Sequence, residues 1–221
     1  MHTSSFRVPA TALRALALSS LLGLGAAQAG TLSYQGQFAT DDELFATRLV
    51  LPGDALLTAT TLGYGGGTGV AGQAIAAGGF VPVLSLFLEG FGLVETARGS
   101  SNVCGPGAGR ADPVSGFCWD ASFSRLLPAG IYTLVLSQDG NEPLGQSLGD
   151  GYSQAGQADY TGLAYLGQPG AMFVQVDGTS RTGLWALDVQ ATNVPEPGTW
   201  LLLLLGGAAL ALRRLPACTR C

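Results

Sequence analysis

The chain has 221 residues, of which 47% are hydrophobic and 11% charged, and its net charge is −5. Residues 30–194 carry 14 acidic side chains against five arginines, and lysine is absent throughout, so this part has a net charge of −9. An acidic surface repels nucleic acid and anionic lipid headgroups, which argues against a nucleic-acid-binding protein. The apolar content is also too high for a disordered chain, and the length suits one domain with a substantial core.

The first 29 residues predict a secretory signal peptide. Arg7 and Arg14 form a basic start, residues 16–27 form an apolar stretch, and a small-x-small cleavage site ends at Ala29. The alternative is an uncleaved N-terminal anchor, although the apolar stretch is short for a membrane span. We therefore expect the segment that follows to be exported through the inner membrane.

Short strands are predicted for most of residues 30–190, which we take as one domain. The predicted strands are runs in which apolar and polar residues alternate at a period of two. Most of these runs are separated by Gly, Pro, Asp or Asn. They cover residues 31–38, 43–51, 55–64, 83–89, 93–97, 121–127, 131–138, 172–177 and 184–189. In the last run, Trp185, Leu187 and Val189 should share one face. No long helical stripe occurs, so we predict an all-β fold, an antiparallel β-sandwich of jelly-roll type.

The composition predicts a protein that is not an enzyme and needs no cofactor. The only histidine is His2, inside the signal peptide, so the mature chain has neither imidazole nor lysine for a general base, a Ser-His-Asp triad or a zinc site. Pairs of carboxylates, as in glycosidases, stay open. Gly67, Gly69 and Gly72 match the spacing of a dinucleotide-binding motif, but no amphipathic helix follows, so we expect a flexible loop.

Asp41, Asp42 and Glu43 form a candidate calcium site. Calcium takes about six to eight oxygen ligands, so loop carbonyls or Asp139 would have to complete the coordination. Neighbouring residues on a strand point to opposite faces, and no Asp-x-Asp-x-Asp-Gly loop occurs, which favours a solvated turn. We expect the domain to fold without metal, with calcium acting at most as a modest stabiliser.

The cysteines predict one disulfide bond, between Cys104 and Cys118. Both lie on the oxidising side after export, and they bracket a glycine-rich loop with no further Cys or His nearby for a metal site. In the entropy model, closing a loop of about 15 residues contributes about 3 kcal/mol. Cys218 and Cys221 form a C-x-x-C without a thioredoxin-like context, and we expect them to be reduced thiols.

The C-terminal part, residues 191–221, combines a proline motif with an apolar run and a basic stop. Pro197 suits the start of a helix, residues 198–212 carry no charge, and Arg213 and Arg214 follow. This run is short for a bilayer core of about 30 Å, but arginines can extend their heads toward the lipid phosphates. We therefore predict one short transmembrane helix with the arginines in the cytoplasm, the alternative being a buried core helix.

Pro195, Glu196 and Pro197, followed by the apolar run and the arginine pair, resemble the PEP-CTERM sorting signal of Gram-negative bacteria that make extracellular polysaccharide. The resemblance implies recognition by an exosortase, a membrane-embedded enzyme that processes the chain near this motif. The protein would then be anchored transiently in the inner membrane before it reaches the cell surface or the extracellular matrix. Residues 216–221 depart from the pattern, because members usually end on the basic cluster.

A second resemblance covers residues 31–140. The runs at residues 38–45, 79–87 and 127–136 are similar to the β-sandwich module of bacterial pre-peptidase C-terminal domains, which a group of PEP-CTERM proteins carries. In those relatives the position of Val81 is often Asp. If such acids bind calcium there, the resemblance implies that the site is depleted in this chain.

Two roles are open for the exported domain. One is a structural or adhesive component of an extracellular matrix or biofilm, and the other is a binding module for polysaccharide or calcium. A sugar-binding module should expose clustered aromatic rings. The clustered candidates are Tyr152, Tyr160 and Tyr165, in or next to the Gly/Gln-rich segment at residues 144–170.

Overall fold

Two four-stranded antiparallel sheets make up most of the computed structural model, which describes residues 29–99, Cys104 and residues 110–194. The ten strands of this part are β1 (Ala29–Gln37), β2 (Phe45–Leu51), β3 (Ala55–Thr61), β4 (Gly67–Thr68), β5 (Ala74–Ile75), β6 (Pro82–Leu88), β7 (Gly92–Arg98), β8 (Ser122–Leu127), β9 (Gly130–Gln138) and β10 (Leu184–Asn193). A 3-10 helix (Leu148–Asp150) and the α-helix α1 (Tyr160–Leu166) lie between β9 and β10.

The chain alternates between the two sheets. One sheet has the order β1-β10-β3-β8 and the other β2-β9-β6-β7, while β4 and β5 form a small hairpin of their own. All these strand pairs are antiparallel. Apart from the β4–β5 and β6–β7 steps, every connection between consecutive strands leads to a different sheet, so strands adjacent in sequence are rarely neighbours in a sheet.

One hydrophobic core draws on both sheets. In β3, Ala55, Leu57 and Ala59 are buried on one face, while Leu56 between them is exposed. The second sheet contributes Leu49, Leu51, Leu84, Leu86, Leu134 and Leu136 to the same cluster. Each buried leucine stabilises the fold by about 1.5–3 kcal/mol relative to an exposed one. The period-two pattern thus turns one face of each sheet toward a shared interior.

The central strands of the second sheet are covered on both faces. The loop between β9 and α1 places Tyr152 against Phe87 and Val135, with Leu93 packed beside them in a second small cluster. Strands with two covered faces read as continuous apolar runs rather than as alternating ones. This explains why β6 is buried over nearly its whole length.

The predicted strand at residues 172–177 is wrong. Phe173 has a positive φ of 55°, which is incompatible with an extended strand, and its N–H donates to a carboxylate oxygen of Asp41 at 2.6 Å. Val174 makes only an isolated bridge to Ser180, and the side chain of Val176 is 82% exposed. The backbone donor that a sheet would need is therefore taken by a buried carboxylate.

The other eight predicted strands are confirmed. Most of their ends are shifted by one to three residues, and the end of β10 is shifted by four. In β10, Leu187 and Val189 are buried and Trp185 packs against the same core, as predicted. The β4–β5 hairpin and α1 were not predicted, because both are too short to carry a periodic pattern. The antiparallel, mostly β fold agrees with the sequence.

None of the helices in the described part of the chain has the length and apolar character of a membrane span. The predicted signal peptide and the predicted transmembrane helix at residues 198–212 lie outside the described residues.

Candidate functional site

The sorting residues Pro195, Glu196, Pro197, Arg213 and Arg214 lie outside the described residues. The chain is described up to Val194, directly before the motif. There the N–H of Val194 donates to the carbonyl of Asp54 at 2.9 Å, so β10 is held to the sheet until the motif begins.

The predicted disulfide is confirmed. Cys104 and Cys118 are bonded, with their Cα atoms 4.9 Å apart, and Cys118 is buried. The bond fastens the segment in front of β8 to the chain that follows β7. The covalent link closes a stretch of sequence that is rich in glycine.

A buried ion pair braces the same region. The guanidinium of Arg181 donates to both carboxylate oxygens of Asp112, at 3.0 and 2.9 Å, and lies 4.1 Å from the ring centre of Tyr64. The Arg181 hydrogen bonds, helped by the backbone N–H of Ser115, lower the pKa of Asp112 to about 2. The pair joins the loop before β8 to the segment before β10.

Two further buried aspartates hold loops through backbone donors. Asp120 accepts hydrogen bonds from the N–H groups of Tyr64 and Gly65, at 3.1 and 2.8 Å, although burial raises the pKa of its carboxyl group. Asp188 on β10 accepts from the N–H of Val70 at 2.8 Å and from the hydroxyl of Ser33. Sequence reasoning missed both residues, since a single aspartate among apolar residues carries no motif.

The glycine spacing at Gly67, Gly69 and Gly72 forms a tight hairpin rather than a nucleotide-binding turn. The N–H of Gly69 donates to the carbonyl of Gln73 at 2.9 Å, and no helix follows. The bond from Val70 to Asp188 ties this hairpin to the first sheet. The expected loop is therefore present, but it is anchored.

The acidic cluster serves to organise loops. Asp41 is fully buried, so the predicted solvated turn is wrong for this residue. Its carboxylate accepts hydrogen bonds from the N–H and the hydroxyl of Thr161, at 2.9 and 2.6 Å, and from the N–H of Phe173. The hydroxyl of Thr161 in turn accepts from the N–H of Val174 at 3.0 Å. One carboxylate thus positions α1 and the segment that follows it.

The other two acids of the cluster also bind protein donors. Asp42 accepts from the N–H of Gly156 at 2.9 Å, and Glu43 accepts from the N–H of Ala39 at 3.0 Å. Over residues 29–99, 104 and 110–194, no three His, Cys, Asp or Glu side chains are grouped as a metal site would require. Calcium binding at Asp41, Asp42 and Glu43 stays a prediction. The carboxylates of these residues already accept hydrogen bonds from the protein, which makes them poor calcium ligands.

The tyrosine cluster does not form an exposed row. Tyr152 and Tyr160 are buried, and burial raises the pKa of the Tyr152 hydroxyl to about 12. The hydroxyl of Tyr160 donates to the carbonyl of Asp139 at 2.6 Å, which ties α1 to the end of β9. Of the three tyrosines, Tyr165 is exposed.

A pocket of about 110 Å³ opens where β9 ends, beside the start of β6 and α1; we call it the loop-end pocket. It is lined by Phe80, Val81, Trp119, Gln138, Asp139, Thr161, Tyr165, Phe173, Val174, Gln175 and Val176. Aromatic and aliphatic side chains dominate, with a few polar groups among them, which is the usual composition of a ligand site. Asp41 holds the wall formed by Thr161, Phe173 and Val174 in place.

Two amides, one carboxylate and the Thr161 hydroxyl supply the polarity of this pocket. Gln138 is 4% exposed, and its Oε1 has no hydrogen-bond partner among the described residues. The Gln175 amide donates to the Tyr64 hydroxyl at 3.2 Å and accepts from the guanidinium of Arg181. Asp139, the single carboxylate, lies 4.0 Å from the Arg98 guanidinium. A lone carboxylate does not make the acid–base pair of a glycosidase.

A wider and shallower groove of about 550 Å³ lies along the second sheet. Phe91, at the β6–β7 turn, is 85% exposed beside it, and Arg48 and Glu89 pair loosely at 3.9 Å on its rim. Sequence reasoning did not identify either pocket. The lining residues come from distant parts of the chain and follow no spacing.

Comparison with known proteins identifies one region of the chain. Residues 193–214 match the family model of the PEP-CTERM protein-sorting motif. The match covers Pro195, Glu196, Pro197 and the apolar run as far as Arg214, in agreement with the sequence reading. No curated protein matches the chain. The motif indicates an extracellular protein that an exosortase processes and that is sorted for export to the cell surface.

Proposed function

We propose that the chain is a non-enzymatic surface protein whose ectodomain serves as a structural or adhesive component of an extracellular matrix. The sorting motif at residues 193–214 is the observation that carries this proposal. The motif supports a location outside the inner membrane, because it marks a chain that an exosortase processes for export. The absence of lysine, and of histidine beyond His2, removes the usual catalytic bases and so supports a role without chemistry.

The fold supports a durable extracellular module. When the two-residue strands β4 and β5 are left out and the other eight are renumbered one to eight along the chain, the two sheets have the orders 1-8-3-6 and 2-7-4-5. This is the strand order of a jelly-roll sandwich. The disulfide and the buried aspartates Asp41, Asp112, Asp120 and Asp188 brace its loops. The similarity of residues 31–140 to pre-peptidase C-terminal domains stays a hypothesis, and the strands at its quoted runs are compatible with it.

A mutant of the sorting motif tests the proposal. Replacement of Pro195, Glu196 and Pro197 by alanine should leave export intact and block C-terminal processing, so the full-length chain accumulates in the inner membrane. Intact mass and fractionation of the protein from its native host provide the measurement. Pro216→Ala, outside the matched motif, is the control and should be processed like the parent.

Processing and surface location that are unchanged in the triple mutant would contradict the role of the motif. The structural or adhesive role has a separate test. If the parent chain is sorted, but its deletion leaves the matrix and cell adhesion unaltered, that role is contradicted.

The second candidate function is a binding module for extracellular polysaccharide. The loop-end pocket favours it, because the pocket combines Trp119 and Tyr165 with amide and carboxylate groups. Calcium would then be a stabiliser at most, since the candidate acids are engaged within the protein.

A further inference from the structure

Gln138 is a buried polar group with an unused acceptor. It ends β9, lines the loop-end pocket, and is 4% exposed, and its Oε1 meets no donor among the described residues. An unsatisfied buried oxygen costs about 1–3 kcal/mol. Buried polar groups in native proteins are nearly always paired. Six buried side-chain atoms of the described residues lack a partner, and Gln138 is the one of these residues that lines the loop-end pocket. Oε1 itself has almost no surface open to solvent, so a ligand donor reaches it only when the Gln138 side chain turns into the pocket, and the hydrogen bond formed there then removes the cost.

The walls of the pocket suit a flat, partly apolar ligand. Trp119 is half-buried and Tyr165 is exposed, so both rings border solvent, while Phe80 and Phe173 close the interior. Aromatic rings give a large apolar face and lose little conformational freedom on binding. The C–H face of a sugar ring is a matching surface, because it is flat and carries no hydrogen-bonding groups.

The polar groups of the pocket match hydroxyls rather than anions. An amide donates and accepts, and a carboxylate accepts, which suits hydroxyl groups that do both. The single charge in the lining is the negative Asp139, and the surrounding domain has a net charge of −9. A ligand that carries carboxylate or sulfate groups would be repelled by this field.

We propose that the loop-end pocket binds one ring of a neutral polysaccharide. Trp119 stacks on the ring, and Gln138 and Asp139 accept hydrogen bonds from its hydroxyls. The volume of about 110 Å³ is smaller than the roughly 300–1,000 Å³ of sites that enclose a whole small-molecule ligand, so the pocket takes one ring and the polymer continues into solvent. The inference rests on the proposed surface location, where the protein meets such polymers.

Binding of defined oligosaccharides tests the pocket. The full-length chain, exported to a periplasm and purified in a polyoxyethylene detergent that contains no sugar, is titrated with cellohexaose, maltohexaose and a neutral galactan. Polygalacturonate and tetralysine are the acidic and the basic comparison. Tryptophan fluorescence and calorimetry report binding. We expect saturable binding of at least one neutral sugar and none of the two charged probes.

Two variants and one control locate the binding. Trp119→Ala should weaken binding by about tenfold or more, because it removes the stacking surface. Gln138→Leu should weaken it by about tenfold while leaving the melting temperature unchanged or higher, since the unpaired oxygen is gone. Phe117→Ala is the matched control, because Phe117 is exposed, 6.2 Å from the Trp119 ring, and outside the lining.

The proposal fails if no neutral sugar binds, if a charged probe binds through Trp119, or if Gln138→Leu binds as tightly as the parent. The last variant keeps the test decisive even where Trp119→Ala does not fold. Sorting of the Gln138→Leu chain is scored separately in the native host. A chain that binds sugar but is not sorted contradicts the proposed surface function and leaves the pocket proposal standing.

Discussion

Buried aspartates are the main residue-scale device of this domain. Asp41, Asp112, Asp120 and Asp188 are all buried, and each accepts a hydrogen bond from at least one backbone N–H group of a loop. Loops on an all-β scaffold leave donors that no neighbouring strand can satisfy, and a carboxylate accepts several at once. These side chains thus replace the ladder hydrogen bonds that the loops lack. The same residues would be taken for surface charges by composition alone.

The Asp112–Arg181 pair predicts a specific dependence of stability on pH. The pKa of Asp112 is lowered to about 2 in the folded state, against 3.8 for the ordinary group. Its stabilisation is therefore fully present above pH 4 and is lost as the pH falls toward 2, which amounts to about 2 kcal/mol. Urea unfolding of the parent and of Asp112→Asn between pH 2 and pH 6 measures it.

In that experiment the difference between the two proteins should shrink with falling pH. Asp120 acts in the opposite direction, because its raised pKa favours the protonated folded state, so only the difference between parent and variant isolates Asp112. A constant difference across this range would contradict the assignment.

Among the elements, the long strands and the short helix α1 form for different reasons. β3 and β10 follow a period of two and pair in the register that places Leu187 opposite Thr61 and Val189 opposite Ala59. α1 has seven residues and ends at Leu166, and Gly167 caps it in the left-handed conformation, with a φ of 64°. Such a short helix is not stable alone and forms here because Asp41 binds its first turn.

The disulfide is an element-scale brace, and its removal should destabilise the domain. Cys104 and Cys118 close a loop with a sequence separation of 14 residues. A double Ser variant should lose about 3 kcal/mol of unfolding free energy in the chain-entropy model. Urea unfolding of exported protein measures the loss, and non-reducing peptide mapping confirms the pairing in the parent. Cys218→Ser with Cys221→Ser is the matched control and should leave the stability unchanged.

Two free thiols at Cys104 and Cys118 in freshly exported protein would contradict the pairing. Equal unfolding free energies of the parent and the double variant would show that the loop is already ordered by the Asp112–Arg181 pair.

At the scale of the whole molecule, acidic charge and a shared core are combined in one fold. Residues 28–194 form one compact unit, and most of its acids are on the surface while four are used inside. A net charge of −9 keeps an exported protein soluble and repels acidic polymers. It also invites weak, diffuse binding of divalent cations, which differs from coordination at one site.

Calcium should therefore have a small effect on the unfolding of the whole domain. Binding with a dissociation constant of about 10⁻⁴ to 10⁻³ M, as in extracellular modules, would add about 1.4 kcal/mol or less at 1 mM calcium. Thermal melts with calcium, with chelator, and with magnesium at equal ionic strength provide the test. Unfolding by the chelator, or a large shift specific to calcium that Asp42→Asn abolishes, would show a true site at the acidic cluster.

The sequence by itself determined the features that are local along the chain. The proline motif with its apolar run and arginine pair is contiguous, so its spacing could be recognised directly, and the period-two runs predicted eight strands because burial on one face needs only alternate residues. The cysteine pair followed from the oxidising compartment that the signal peptide predicts. The signal peptide and the transmembrane helix stay predictions.

Only the tertiary structure decided which hydrogen-bond partners the buried polar residues have and where the pocket lies. Asp41 binds Thr161 and Phe173, which are 120 and 132 residues away, and Asp188 binds Val70 at a separation of 118. A hydrogen bond depends on distance in space, and the sequence gives no measure of that distance once the chain crosses between two sheets. For this reason residues 172–177, apolar and alternating like a strand, became a pocket wall held by a carboxylate.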